Sequence, residues 1–251
     1  MFLGRFGLAA VVVLTCCAAV FAGPVNLDTN SYNFQLNNGG GGVSATINQT
    51  QNIEIFCVDY ANDIYVPQQG YSAYLTPITT GSDLSNTRFG GVSSSNWTQM
   101  NTLFIDPTDA GIINSAGALA RYQMAAYLVS QYNLPGGNSA SNNGIQQAIW
   151  DILDPKSFSA VYNTATDNAI VSAAQWYNGI KGNTTALNNF LSNYRIVSDA
   201  TMYSCGTGLA KCGGFQEQIT VVPEPRYVAL MLVGLLLAGS VTVRKLQAAR
   251  R

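Results

Sequence analysis

Residues 53–60 read Ile53-Glu54-Ile55-Phe56-Cys57-Val58-Asp59-Tyr60. Ile53, Ile55 and Cys57 alternate with their neighbours at the period of two that marks a strand with one face buried, so this segment predicts a strand that turns the Cys57 sulfur inward. Much later in the chain, Asn143-Gly144-Ile145-Gln146-Gln147-Ala148-Ile149-Trp150-Asp151-Ile152-Leu153 carries a helical pattern. It follows a loop rich in Pro, Gly, Ser and Asn (residues 134–144), and it stops at Asp154-Pro155.

Working outward from these two segments, strand-like runs occupy residues 33–36 and 42–47 before the helical region, and 194–203 and 215–222 after it. Residues 122–129 predict a helix with Ala125, Leu128 and Val129 on its core stripe. Residues 172–194 predict a third helical stretch, broken near Gly179 or Gly182, with Trp176, Ile180, Leu187, Phe190 and Leu191 facing the core. Strands, then helices, then strands imply an α+β fold, a β-sandwich or barrel with a helical insert. The glycine run at residues 39–42 lacks the following helix that a phosphate-binding loop needs, and is read as a hairpin tip.

The two ends of the chain carry a different kind of signal. Residues 1–22 have the form of a signal peptide: Arg5, an apolar stretch over residues 8–20, and Val20-Phe21-Ala22 before Gly23. Cys16 and Cys17 fall inside it, and Thr15 stands where a lipoprotein signal needs a small residue. At the other end Val222-Pro223-Glu224-Pro225 precedes an uncharged apolar run over residues 227–243, followed by Arg244, Lys245, Arg250 and Arg251. As a helix that run covers roughly 25 Å, enough for a single transmembrane helix across a thin hydrocarbon core. The trailing basic residues orient it with the extreme C-terminus in the cytoplasm. The expected organisation is therefore a signal peptide (1–22), an exported ectodomain (23–221) and a C-terminal sorting or anchoring segment (222–251).

Charge and composition exclude more than they suggest. Between residues 23 and 222 there are six basic and twelve acidic side chains, a net charge of −6, so no basic surface exists to neutralise phosphates and nucleic acid is not an expected partner. The chain has no histidine. Without imidazole there is no Ser-His-Asp or Cys-His catalysis and no His-ligated zinc, and no pattern calls for a metal or another cofactor. Carboxylate pairs could still hydrolyse glycosides, with Glu54, Asp59, Asp63, Asp151 and Asp154 as the candidates, against the plainer reading of scattered surface acids.

Three cysteines remain once the signal is removed: Cys57, Cys205 and Cys212. Cys205 and Cys212 flank a short glycine-bearing turn in which a disulfide would close a late hairpin, leaving Cys57 as the free thiol of an oxidising compartment.

Two resemblances follow from these residues. Pro223-Glu224-Pro225, the apolar span and the basic tail together resemble the PEP-CTERM sorting signal of Gram-negative bacteria. That signal is read by a membrane-embedded exosortase, and its substrates reach the cell surface or the extracellular matrix. Phe56-Cys57-Val58 together with Ile145-Gln146-Gln147-Ala148-Ile149-Trp150 resembles the two signatures of the bacterial thioester domain of surface adhesins. In that family the cysteine sulfur displaces ammonia from the glutamine side chain, and the stored thioester acylates an amine-bearing partner. The register of the motif implies Gln146, with Gln147, polar where the pattern is apolar, as the alternative.

The resemblance implies an exported protein that attaches covalently to amine-bearing surface or matrix polymers, not an enzyme. The other class is a structural matrix or cell-surface protein of the same fold in which Cys57 stays an unreacted thiol, and a carboxylate-based glycosidase is third.

Overall fold

The computed structural model describes residues 23–36, 40–97, 105–133, 137, 139–153 and 163–222. Four strands come first: β1 (Val25–Gln35), β2 (Gly41–Ile47), β3 (Gln51–Cys57) and β4 (Gln68–Pro77). Five α-helices follow: α1 (Pro107–Asn114), α2 (Ala118–Ser130), α3 (Ala140–Leu153), α4 (Thr164–Ile180) and α5 (Thr184–Leu191). The chain then returns through β5 (Tyr194–Asp199) and β6 (Gln218–Val221). All six strands pair antiparallel in the order β1-β2-β3-β6-β5-β4, and β4 pairs again with β1, so the sheet closes into a barrel. The fold is α+β, a barrel with its helices inserted between β4 and β5.

Closure divides the apolar residues into two sets, because successive side chains of a strand point to opposite faces. Ladder partners Val43 and Ile55, Ala45 and Ile53, Leu27 and Ile47, and Leu75 and Val197 are all buried and fill the barrel. Phe34, Phe56, Ile196 and Ile219 point the other way, into a core shared with Tyr122, Met124, Ile149 and Ile170 of the helices. Ala125, Leu128 and Val129 of α2 are buried there as well, and so are Leu187 and Leu191 of α5. Trp176, Ile180 and Phe190 pack against this core while remaining partly exposed.

Several boundaries differ from the sequence reading. β1 begins eight residues before Asn33, at Val25. Its alternating face of Asn26, Asp28 and Asn30 consists of residue types poor in strand propensity, and pairing on both sides with β2 and β4 overrides that preference. β4 was not expected either, although Tyr71, Ala73 and Leu75 alternate inward between Ser72, Tyr74 and Thr76. α1 also escaped the periodic reading; it is set by its cap, Asp106 accepting from the Thr108 N–H at 2.7 Å, with Pro107 at the first helical position.

α3 starts at Ala140 rather than at Asn143. Its polar first turn is held by Asn142, which donates to the carbonyls of Gly137 at 2.6 Å and Asn133 at 2.9 Å. The helical stretch expected over residues 172–194 begins earlier, at Thr164, and breaks after Ile180, beside Gly182 as expected, into two helices, α4 and α5. The second starts at the cap Asn183, whose side chain accepts from the Ala186 N–H. Gly144 lets α3 meet α4 closely, since a Cβ there would lie 2.6 Å from Ala165.

Arg121 of α2 is fully buried with its donors spent on backbone carbonyls: its guanidinium donates to Ile113 and Ala116 near the end of α1 and to Ile152 near the end of α3, and it lies 4.3 Å from the centre of the Trp97 ring. Among the described residues no helix is long and apolar enough to cross a membrane. The expected signal peptide (1–22) and the expected sorting segment from Pro223, Glu224 and Pro225 onward lie outside the described residues.

Candidate functional site

Cys57 is the last residue of β3, where the barrel wall ends beneath α3. Its thiol is free and buried, and Cys57 packs with Trp150 of α3. Tyr60 meets Trp150 edge-on with ring centres 5.0 Å apart and is itself exposed, so one aromatic layer separates the sulfur's packing partner from solvent. Burial pushes the Cys57 thiol up to about 12, and the nearby Asp59 carboxylate adds to the shift. The backbone N–H groups of Cys57 and Gly41 oppose it.

Gln146, on the first half of α3, is completely buried. Its Nε2 donates to the Cys57 carbonyl at 2.9 Å. Its Oε1 accepts from the Tyr132 hydroxyl at 2.9 Å and from the Gly41 N–H at 3.3 Å. The Gly41 N–H thus faces both the glutamine carbonyl oxygen and the cysteine sulfur. Gln147 is turned elsewhere: its Oε1 accepts from Thr166 Oγ1 at 2.7 Å and Asn163 Nδ2 at 3.0 Å, at the start of α4. Of the two glutamines the sequence left open, only Gln146 reaches Cys57.

Three features of this pocket were not among the sequence candidates. The glycine run reads as a hairpin tip; of its described members, Gly40 precedes β2 and Gly41 and Gly42 open it, and Gly40 and Gly41 form one wall of the pocket. A Cβ at Gly40 would lie 2.4 Å from Gln146 Cγ and 2.6 Å from Gln146 Cδ, and Gly41 has φ +140, with its Cβ position 2.2 Å from the Phe34 carbonyl oxygen. Tyr132 follows α2 and is fixed by stacking on Phe56 with ring centres 5.3 Å apart and by Phe34 at 5.4 Å. The third feature is Gln216, whose Oε1 accepts from the Cys57 thiol at 2.9 Å. No local pattern marks Tyr132 or Gln216, because each meets Cys57 or Gln146 only through the fold.

Behind the sulfur lies a buried polar network. Asp59 is paired with Arg88 (Nε to Oδ2, 2.6 Å) and accepts from the Ala61 N–H and from Asn62 Nδ2. Burial raises the Asp59 pKa, and Arg88 opposes that shift. Arg88 also donates to the carbonyls of Lys211, Gly213 and Phe215, which ties the segment leading into Gln216 to the core. Glu217, fully buried, accepts from the Arg88 N–H, Ser198 Oγ and the Tyr122 hydroxyl, and burial lifts its carboxyl from 4.5 to about 7. Gln218 stands opposite Cys57 in the ladder with its amide buried and without a hydrogen-bond partner among the described residues.

Cys205 and Cys212 form a disulfide with Cα atoms 5.7 Å apart, across the turn that brings Tyr203 and Cys212 into a backbone bridge. Of the carboxylates weighed for glycoside hydrolysis, Glu54 accepts from Asn33, Asp59 is the partner of Arg88, and the charge of Asp151 acts on the buried Arg121. Asp63 lines a separate surface pocket with Tyr65, Asp199 and Phe215. Asp154 lies outside the described residues. Among the described residues no cluster of three or more metal-binding side chains occurs. The chain matches no protein-family model, no curated protein and no solved structure.

Proposed function

We propose that this chain is an exported surface or extracellular-matrix protein whose Cys57 and Gln146 condense to an internal thioester that can attach it to an amine-bearing partner. The observation that carries the reading is the clamp on the Gln146 side chain. Two donors, the Tyr132 hydroxyl and the Gly41 N–H, polarise its carbonyl oxygen, while its nitrogen is anchored on the residue that carries the sulfur. An amide is a poor acyl donor, but a nucleophile held against a fixed and polarised carbonyl gains a large effective molarity. The step balances without an external reagent: Sγ bonds to Gln146 Cδ, the Cδ–Nε2 bond breaks, and the thiol proton leaves with the nitrogen as ammonia. Histidine is not required, because the leaving amine takes the only proton that must move.

On the same reading, an exosortase sorts the precursor through Pro223, Glu224 and Pro225, and the C-terminal span holds it in the inner membrane until processing. A second reading, a structural matrix protein with Cys57 permanently a thiol, is favoured by the contact from that thiol to Gln216 and by the strong upward shift of its pKa.

Intact mass separates the two. A thioester protein is lighter than its sequence by one ammonia, and Cys57→Ala and Gln146→Ala each abolish that deficit. A purified wild-type protein of full sequence mass, with a titratable Cys57, would overturn the thioester reading in favour of the structural one.

A further inference from the structure

Gln216 is fixed at both ends of its amide. Nε2 donates to the Asp59 carbonyl at 2.6 Å, and Oε1 accepts from the Cys57 thiol at 2.9 Å. Its backbone N–H is also held, by the Asp63 carbonyl at 3.1 Å. The amide cannot flip at no cost, since the reversed orientation would set its oxygen against the Asp59 oxygen. Gln216 therefore presents an acceptor to the sulfur.

Only a protonated sulfur can satisfy that acceptor. A thiol has the proton and a thioester sulfur has none. Acylation of Cys57 thus leaves a buried amide oxygen facing sulfur lone pairs, and a buried acceptor without its donor carries a desolvation penalty. We propose that Gln216 is a positioning residue that favours the open thiol over the Cys57–Gln146 thioester and thereby speeds opening of the thioester by an amine. The inference rests on the thioester reading above.

In the opening step the amine nitrogen bonds to Gln146 Cδ and the Cδ–Sγ bond breaks. The proton released by the amine ends on Sγ, where Gln216 Oε1 receives it in a hydrogen bond. What the acylated state lacks is regained as the bond breaks.

The test compares the rate of adduct formation with methylamine, read by intact mass, in the purified exported protein and its variants. Gln216→Met keeps the volume and removes the acceptor, and opening is expected to slow about tenfold, the S–H being a weak donor and both residues buried. Gln216→Glu supplies a second readout. In acidic buffer a buried carboxylic acid can donate to the Asp59 carbonyl and accept from the thiol, so opening runs near the wild-type rate; in alkaline buffer the ionised group sets a stronger acceptor against the sulfur lone pairs, and opening rises above the wild type. A merely structural role for Gln216 would not give that divergent pH profile. Equal opening rates in wild type and Gln216→Met overturn the inference alone. Should Gln216→Met fail to fold, a Gln216→Glu profile parallel to the wild type overturns it instead. A wild-type protein without the ammonia deficit removes the thioester reading, and this inference falls with it.

Discussion

The side-chain amide of Gln146 donates to the backbone carbonyl of Cys57 at 2.9 Å, across 89 residues of sequence. This bond fixes the glutamine carbon relative to the strand that carries the sulfur, and the Tyr132 hydroxyl and the Gly41 N–H fix its oxygen. A side chain restrained at both polar atoms has lost its rotational freedom before any reaction. For an intramolecular displacement that is the main requirement.

Tyr132→Phe keeps the ring stacked on Phe56 and removes one of the two donors to Gln146 Oε1. Loss of one donor to a developing oxyanion slows such a step by about a hundredfold. The time course of ammonia loss after folding, read by mass, should therefore lengthen by that order while the unfolding transition stays nearly unchanged. An unaltered time course would show that the hydroxyl only fills space.

Gly40→Ala sets a methyl group 2.4 to 2.6 Å from the Gln146 side chain. Either the glutamine leaves its position or the β1–β2 turn moves. The expected outcome is a loss of about 1–3 kcal/mol in denaturant unfolding together with loss of the ammonia deficit. Retention of both would mean that the turn yields freely.

Glu217 makes stability depend on pH with a definite sign. Its folded carboxyl titrates at about 7 against 4.5 for an ordinary glutamate, so between those values the folded state binds a proton that the unfolded chain does not. Stability is then greatest at the acidic end of that window and falls as pH rises through it, levelling off above. Asp59, also raised by burial, adds in the same direction. The groups facing Glu217 are Arg88, which opposes the shift, and Tyr122 and Ser198, which donate to it. Glu217→Gln should remove a contribution on the order of 3 kcal/mol to that slope. Denaturant midpoints across the window check it, and identical slopes for the two proteins would refute the assignment.

Arg88→Met leaves Asp59 buried without its counter-charge and releases three carbonyls of the segment before Gln216. Breaking a buried pair from one side costs about 3–5 kcal/mol. The double variant Arg88→Met with Asp59→Asn should recover part of that loss, since no isolated charge remains. Additive losses in the double variant would contradict the pairing.

Sorting can be tested without disturbing insertion. Alanine at Pro223 and Glu224 leaves the apolar run over residues 227–243 intact, so the hydrophobicity available for membrane insertion is unchanged. The variant is expected to stay in the inner-membrane fraction at precursor size while the wild type moves outward. Equal processing of both would make the tripeptide incidental.

Local period alone was enough to set the strand around Cys57, the inward turn of its sulfur and the helix bearing Gln146, because strand and helix faces repeat every 2 and every 3.6 residues whatever surrounds them. Proximity within a short turn likewise pointed to the pairing of Cys205 with Cys212. The choice between Gln146 and Gln147 could not be read that way: neighbours on a helix point about 100° apart, and only the placement of α3 against β3 and α4 decides which of them reaches the Cys57 carbonyl. Nor could closure of the barrel, which depends on pairings of β1 with β4 and β3 with β6 that lie far apart in the chain. The same holds for Gly40, Tyr132, Gln216 and the buried Glu217. Each is unremarkable in its own stretch of sequence and acquires its partner from a different element, and contacts of that kind exist only once the chain has folded.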